Sequence, residues 1–230
     1  MDTEESVIGR ANETLSTGDE TVARKRAKPL ARRSRGERRR EIAVAILGLL
    51  AKYGLEGTTV ARIAEKVGVA PQSLYTHFKN RHEMLIAAVD PIMEIVDEWI
   101  TASSEPNVVE RLKIMGRIHA GTVSKGRFEG FVLPAFNYVV APPASGLPKY
   151  FGKRQLERIK LIAEVIEEGK KQGSIRQDVD PMRAAYRMMV FVWSEDIATM
   201  MGRDEYLDEG ISLEILDLLI DDMAAPKTEQ

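Results

Sequence analysis

Gln72, Ser73 and Thr76 are short polar residues, and Leu74 and Phe78, set among them four positions apart, take the opposite side of any helix built over this stretch. Side chains of the first kind can donate to and accept from base edges in a DNA major groove, so a helix that buries the second pair presents the first set outward for base reading. Other chemistries find little footing. The chain has no cysteine, so neither a disulfide nor a thiolate metal site can form. Its histidines are His77, His82 and His119, at no recognisable metal-ligand spacing. A glycine-rich phosphate loop, a nucleophile elbow and an HExxH motif are all missing; the expectation is no enzyme, no catalytic residue, no metal and no cofactor.

The elements that must position these residues can be read from the flanking sequence. Val60, Ile63, Ala64 and Val67 fall at i, i+3, i+4 and i+7, one buried face of a helix, with the small Ala64 where a second helix would cross. Gly68 suits the left-handed residue that closes this helix, and Pro71 opens the next at the position that tolerates a missing N–H. The second helix is expected over Pro71 to Phe78. This is a helix-turn-helix pattern, although apolar spacing alone would also fit a plain helical hairpin.

Charge favours the nucleic-acid reading. The net charge of −2 hides segregation: residues 1–20 sum to −5, residues 21–40 to +9 with Glu37 the lone acid, and the remainder to −6. A basic segment running directly into the motif is placed to neutralise phosphates, Arg35 and Arg38 among its members, rather than to serve as an idle solvated tail. The first 20 residues are too polar to bury a core and are expected to be disordered; the arm spans 1–34 and is basic from residue 24.

The same stretch resembles the DNA-binding domain of the TetR family of transcriptional regulators. The matching residues are Lys52, Tyr53 and Gly54 at a helix end, Thr59 opening the next helix, Ile63 and Ala64, the turn Gly68 and Val69, then Leu74, Tyr75, His77 and Phe78, with Arg81 where the family usually carries lysine, and Leu85. The likeness covers roughly residues 36 to 86. Ala70 departs from a common serine, which removes a side-chain cap, and His82 replaces a common acid. The resemblance implies phosphate contacts from Thr59, Tyr75, His77 and Arg81, to which Lys79 is added on charge. It also implies an effector that alters the spacing of two reading heads, and a homodimer formed through the last two long helices, which would set two recognition helices on the half-sites of a palindromic duplex operator.

Helical signals run along the rest of the chain, so the fold class is all-α: a three-helix helix-turn-helix domain (35–80), then a larger effector-binding and dimerisation bundle (81–225), about nine helices in total, and a frayed tail (226–230). Helix 1 is expected from Gly36 to Tyr53. Asn80 with Glu83 and Asn107 with Glu110 read as capping pairs, Pro91 predicts a kink near Val89 and Asp90, and Pro134 predicts a break in a helix over 126–140. Asp180 and Pro181 open a helix reaching Met201 that is apolar on nearly all sides, so it must be covered by its own bundle and by a partner.

Trp99, Met115, His119, Phe131, Asn137, Tyr186, Met189 and Trp193 are the candidate lining of an effector pocket, with ordinary core packing the alternative for each. His119, Asn137, Glu195 and Asp196 need partners wherever they are buried; the plainer alternative for Glu195 and Asp196 is a solvated or dimer-rim pair. A small, mostly apolar or acyl-type effector fits the aliphatic, methionine-rich composition. No apolar run approaches the length of a membrane span and no signal peptide is recognisable, so a cytoplasmic protein is expected. The leading reading is a ligand-responsive regulator, in first place a repressor. An effector-independent or structural DNA-binding protein and, less favoured, a helical enzyme are the alternatives.

Overall fold

The computed structural model describes residues 34–122, 128–203, 205 and 209–226, without the side chains of 122 and 128–131. The N-terminal arm through residue 33, the last four residues and the Phe131 side chain therefore lie outside the described residues. The elements are α1 (Arg35–Gly57), α2 (Val60–Lys66), α3 (Pro71–Leu74), α4 (Arg81–Ala87), α5 (Val89–Thr101), α6 (Val108–Thr122), α7 (Phe128–Val139), a 3₁₀ turn (Pro143–Ser145), α8 (Leu147–Gln172), α9 (Pro181–Met200) and α10 (Ile211–Asp221). Among the described residues the fold is all-α, and the one extended pairing is an isolated antiparallel bridge between Ile175 and Ala224. The described residues divide into two compact units, one holding 34–94 together with 129–151, the other holding the described residues of 95–128 and 152–226.

In the first unit α1 opens with a reciprocal cap: Glu37 N–H donates to Ser34 Oγ at 3.1 Å and Ser34 N–H to the Glu37 carboxylate at 2.6 Å. Its stripe Ile42, Ile46 and Leu50 is buried. Gly54, expected to end the helix, breaks it at φ +64 and ψ −175, a conformation that favours glycine, and one short turn follows. Gly68 closes α2 in the same left-handed region at φ +70. The recognition segment is shorter than expected as a regular helix. Only Pro71–Leu74 is α-helical, after which Tyr75, Thr76 and His77 N–H groups bond three residues back, to Gln72, Ser73 and Leu74 carbonyls, a tighter winding that still buries Phe78.

The expected kink before Pro91 is a helix boundary at Ala88, which leaves Pro91 in the first turn of α5, where a missing N–H costs no intrahelical bond. Asn80 caps α4 by accepting from Glu83 N–H at 2.8 Å, but Glu83 returns its bond to Lys79 N–H rather than to Asn80. Pro134 does not break α7, contrary to expectation. Tight packing holds that helix across it: Val132, Pro134 and Tyr138 are buried, the Tyr138 hydroxyl donates to the Leu85 carbonyl at 2.7 Å, and its ring stacks on Phe151.

In the second unit α6 lies close against α10. A Cβ on Gly116 would come within 1.8 Å of the Leu216 side chain, so only glycine admits this approach, and Lys113 reaches Asp221 at 2.8 Å. Arg111 forks onto Glu168 at 2.9 and 3.0 Å, tying α6 to α8. The helix α9 is not buried all round. Ala185, Met188, Met189 and Phe191 face inward, whereas Tyr186, Val190, Ile197 and Met201 are exposed, as are Ile211, Ile215 and Leu218 of α10.

Candidate nucleic-acid interface

The outward face of the recognition segment is formed as the spacing predicts. Leu74 and Phe78 are 0% and 2% exposed, while Gln72, Ser73, Tyr75, Thr76 and Lys79 lie open to solvent. Gln72 and Ser73 keep their side-chain groups directed to no protein partner among the described residues; the Thr76 hydroxyl donates to the Ser73 carbonyl at 2.7 Å, which leaves its lone pairs outward. Ala70 supplies no side-chain cap, so Pro71 alone marks the start. Thr59 caps α2 by accepting from Arg62 N–H at 3.3 Å.

The basic residues at the start of α1 do something that charge alone did not disclose. Arg35 donates to the Thr76 carbonyl at 3.2 Å, and Arg38 to the Val67 carbonyl at 3.3 Å and to Glu41 at 2.6 Å. Arg39 donates to the His77 carbonyl and to Glu83 at 3.0 Å, with its guanidinium 4.2 Å from the centre of the Phe78 ring. Each cation thus meets carbonyl groups at the end of α2 or of the recognition segment, where the helical dipole is negative. Arg81, expected on phosphate, instead donates to the carbonyls of Thr58, at 2.8 Å, and Leu55, sealing the end of α1. Arg39 was missed from the sequence; its place one turn after Arg35, on the side that meets an aromatic ring, is a signal visible only once Phe78 is known to be adjacent.

These contacts tune two titratable groups. Burial first, then the charges of Arg35, Arg38 and Arg39, hold the His77 imidazole below its ordinary value. The Lys79 N–H foremost, then the Arg39 guanidinium, hold the Glu83 carboxyl below the usual range against a smaller opposing effect of burial.

The candidate effector residues do not form one group. Asn137 belongs to the first unit, where its amide donates to the Leu133 carbonyl at 2.8 Å and to the Leu50 carbonyl at 3.4 Å, so it braces α1. Tyr186 is exposed on α9, Trp193 half-buried and Met189 buried. Trp99 and Met115 are buried in the second unit with His119, the Trp99 ring meeting the imidazole edge-on at 4.9 Å. Glu195 and Asp196 are not a solvated rim pair: they are 0% and 7% exposed, and His119 is 2%. His119 Nδ1 lies 2.6 Å from Glu195 Oε2 and its Nε2 3.4 Å from Asp196 Oδ1. Burial pulls the imidazole down most strongly of any single influence, but the hydrogen bonds and charges of Asp196 and Glu195 together outweigh it and raise the value to about 9. No group of three or more His, Asp or Glu among the described residues is arranged to hold a metal ion.

A helical chain with a left-handed glycine turn, an outward polar recognition face and a ring of arginines behind it defines a helix-turn-helix DNA-binding protein. Residues 42–88 match the family model described as bacterial regulatory proteins, tetR family. The HTH-type transcriptional repressor KstR2 of Mycobacterium tuberculosis is 28% identical over 151 residues, 62% of this chain and 72% of that protein. A TetR-family transcriptional regulator from Rhodococcus sp. superposes with a TM-score of 0.68 at 23% identity, covering 80% of this chain and 99% of the other. FadR of Bacillus subtilis, solved in complex with stearoyl-CoA, gives 0.64 at 19% identity over 80% of this chain and 98% of that one. Residues 42–88 thus match the DNA-binding domain of the tetR family, and the chain shares the fold of solved TetR-family regulators.

Proposed function

We propose that this regulator is a ligand-responsive repressor that binds a palindromic operator as a homodimer in the cytoplasm and is released by a small, mostly apolar effector, with acyl-type compounds among the candidates. The observation that carries the reading is the recognition segment itself: Gln72 and Ser73 exposed over buried Leu74 and Phe78. Those two residues read bases, and Thr76 assists. Tyr75, His77 and Lys79 meet phosphates, joined by whatever donor capacity Arg35, Arg38 and Arg81 retain beyond their carbonyl contacts. The exposed apolar rows of α9 and α10 support a two-fold contact between copies, since a patch of this kind marks an interface. No helix among the described residues is long and apolar enough to cross a membrane.

Operator mapping followed by titration of variants tests the reading. Gln72→Ala is expected to cost about 1–3 kcal/mol on the preferred site and little on random duplex, whereas Lys79→Ala weakens both alike. Indifference of the purified dimer to every duplex at low salt sinks the assignment. Equal losses on both DNAs for Gln72→Ala remove it from base reading.

A further inference from the structure

The second unit holds an unusual set of buried polar atoms. Beside the contacts of His119 with Glu195 and Asp196, Glu195 Oε1, Thr199 Oγ1 and Ser212 Oγ have no hydrogen-bond partner among the described residues, and each belongs to a residue at least nine-tenths buried. Such groups are rarely left unsatisfied, because each forfeits its hydration on burial. They also converge. Glu195 and Thr199 are one turn apart on the same face of α9, four residues in sequence. The antiparallel register of α6 and α10 follows from Lys113 against Asp217 and Asp221 and Gly116 against Leu216, and it carries Ser212 to the level of His119 and Ala120.

The balance of charge and of donors selects what could complete this set. Two carboxylates face one imidazole, so the cluster is net negative even with His119 protonated. The unpaired Glu195 oxygen can only accept, and the Thr199 and Ser212 hydroxyls can accept as readily as donate. A carboxylate or phosphate placed here would add a buried negative charge beside Glu195 and Asp196 and supply no proton to the free Glu195 oxygen. An ammonium group would supply donors and bring the cluster to neutrality. Apolar walls adjoin it: Trp99 stands edge-on to the imidazole, Met115 lies one turn before His119, and Met188 and Phe191 precede Glu195 on the buried side of α9.

We propose that His119, Glu195 and Thr199 form the polar end of the effector site, and that this end recognises a protonated amine carried on an apolar body, with a hydroxyl as the weaker fit and an anionic head group refused. The proposal rests on the reading of the protein as ligand-responsive and specifies the head group that reading leaves open.

Three probes with a common octyl tail separate the head groups: octylammonium, octanol and octanoate, titrated calorimetrically into the full-length protein and followed by thermal shift. Octylammonium is expected to bind at least about tenfold more tightly than octanoate, with octanol between them. Glu195→Gln and, as a variant that leaves every charge in place, Thr199→Val are expected to reduce that preference while binding of the tail persists. Octanoate equal to or tighter than octylammonium in the wild-type protein overturns the assignment, whatever the variants do. So does an octylammonium preference unchanged in both variants. If octanoate or an acyl-CoA binds and releases operator DNA, the ligand-responsive reading stands and the head-group proposal falls; if no probe of any charge binds, both fall.

Discussion

Charged groups behave in opposite ways in the two units. Around the helix-turn-helix, Arg35, Arg38, Arg39 and Arg81 lie at or near the surface and donate to backbone carbonyls at helix ends. In the second unit an imidazole and two carboxylates meet with almost no solvent contact. The first arrangement is modest in energy because water competes for every donor, yet it orients a reading head and leaves an electropositive surface behind it. The second is tightly coupled, because removal of one partner strands a buried charge. Low-cost positioning contacts thus gather around the helix-turn-helix, and strongly coupled buried charge gathers in the second unit.

The contrast can be broken most directly at Glu195. Glu195→Ala is expected to cost about 3–5 kcal/mol of stability in urea denaturation, since His119 would remain buried with Asp196 alone. A loss below that of an arginine variant of the first unit would erase the distinction between the units.

A second test uses pH. The native state raises the His119 value from 6.5 to about 9, so it favours the protonated imidazole, and the resulting stabilisation is complete below pH 6.5 and falls away as pH rises through 9. The difference corresponds to roughly 3 kcal/mol. Denaturation midpoints measured across that window should decline with rising pH in the wild-type protein and stay flatter in His119→Gln. A wild-type stability that rises across the same window would contradict the assigned charge state.

Smaller effects are expected in the first unit. Arg39→Ala removes a carbonyl contact, an ion pair with Glu83 and the stacking on Phe78, which together should lower stability by about 1–2 kcal/mol. It should also weaken binding to all duplexes, since the recognition segment loses its brace; unaltered DNA affinity would make Arg39 a bystander. Thr59→Ala removes the α2 cap and should cost about 1 kcal/mol in thermal unfolding. A Thr59 variant that keeps its stability but loses DNA affinity would move the residue from helix capping to phosphate contact.

Much of the reading head was legible because its rules are local. Gly68 and Pro71 bound a turn through backbone geometry, and Leu74 and Phe78 disclose a face through helical spacing, so the outward set Gln72, Ser73 and Thr76 follows with no knowledge of the rest of the chain. Asn80 and Asp180 accept from N–H groups three residues on, as their type and position predict. The exact winding after Leu74 and the continuity of α7 through Pro134 were not legible, because packing overrode local preference in both.

The residues alone determined an all-helical chain, a helix-turn-helix and a positive flank, since periodicity, caps and charge are properties of neighbouring positions. Only tertiary structure decided what those charges touch. Arg39 and His77 are 38 positions apart and His119 and Glu195 are 76 apart, and no local rule links such pairs. The sign of a side chain is written in its type, whereas its partner and its exposure to water depend on which helices the fold lays against one another.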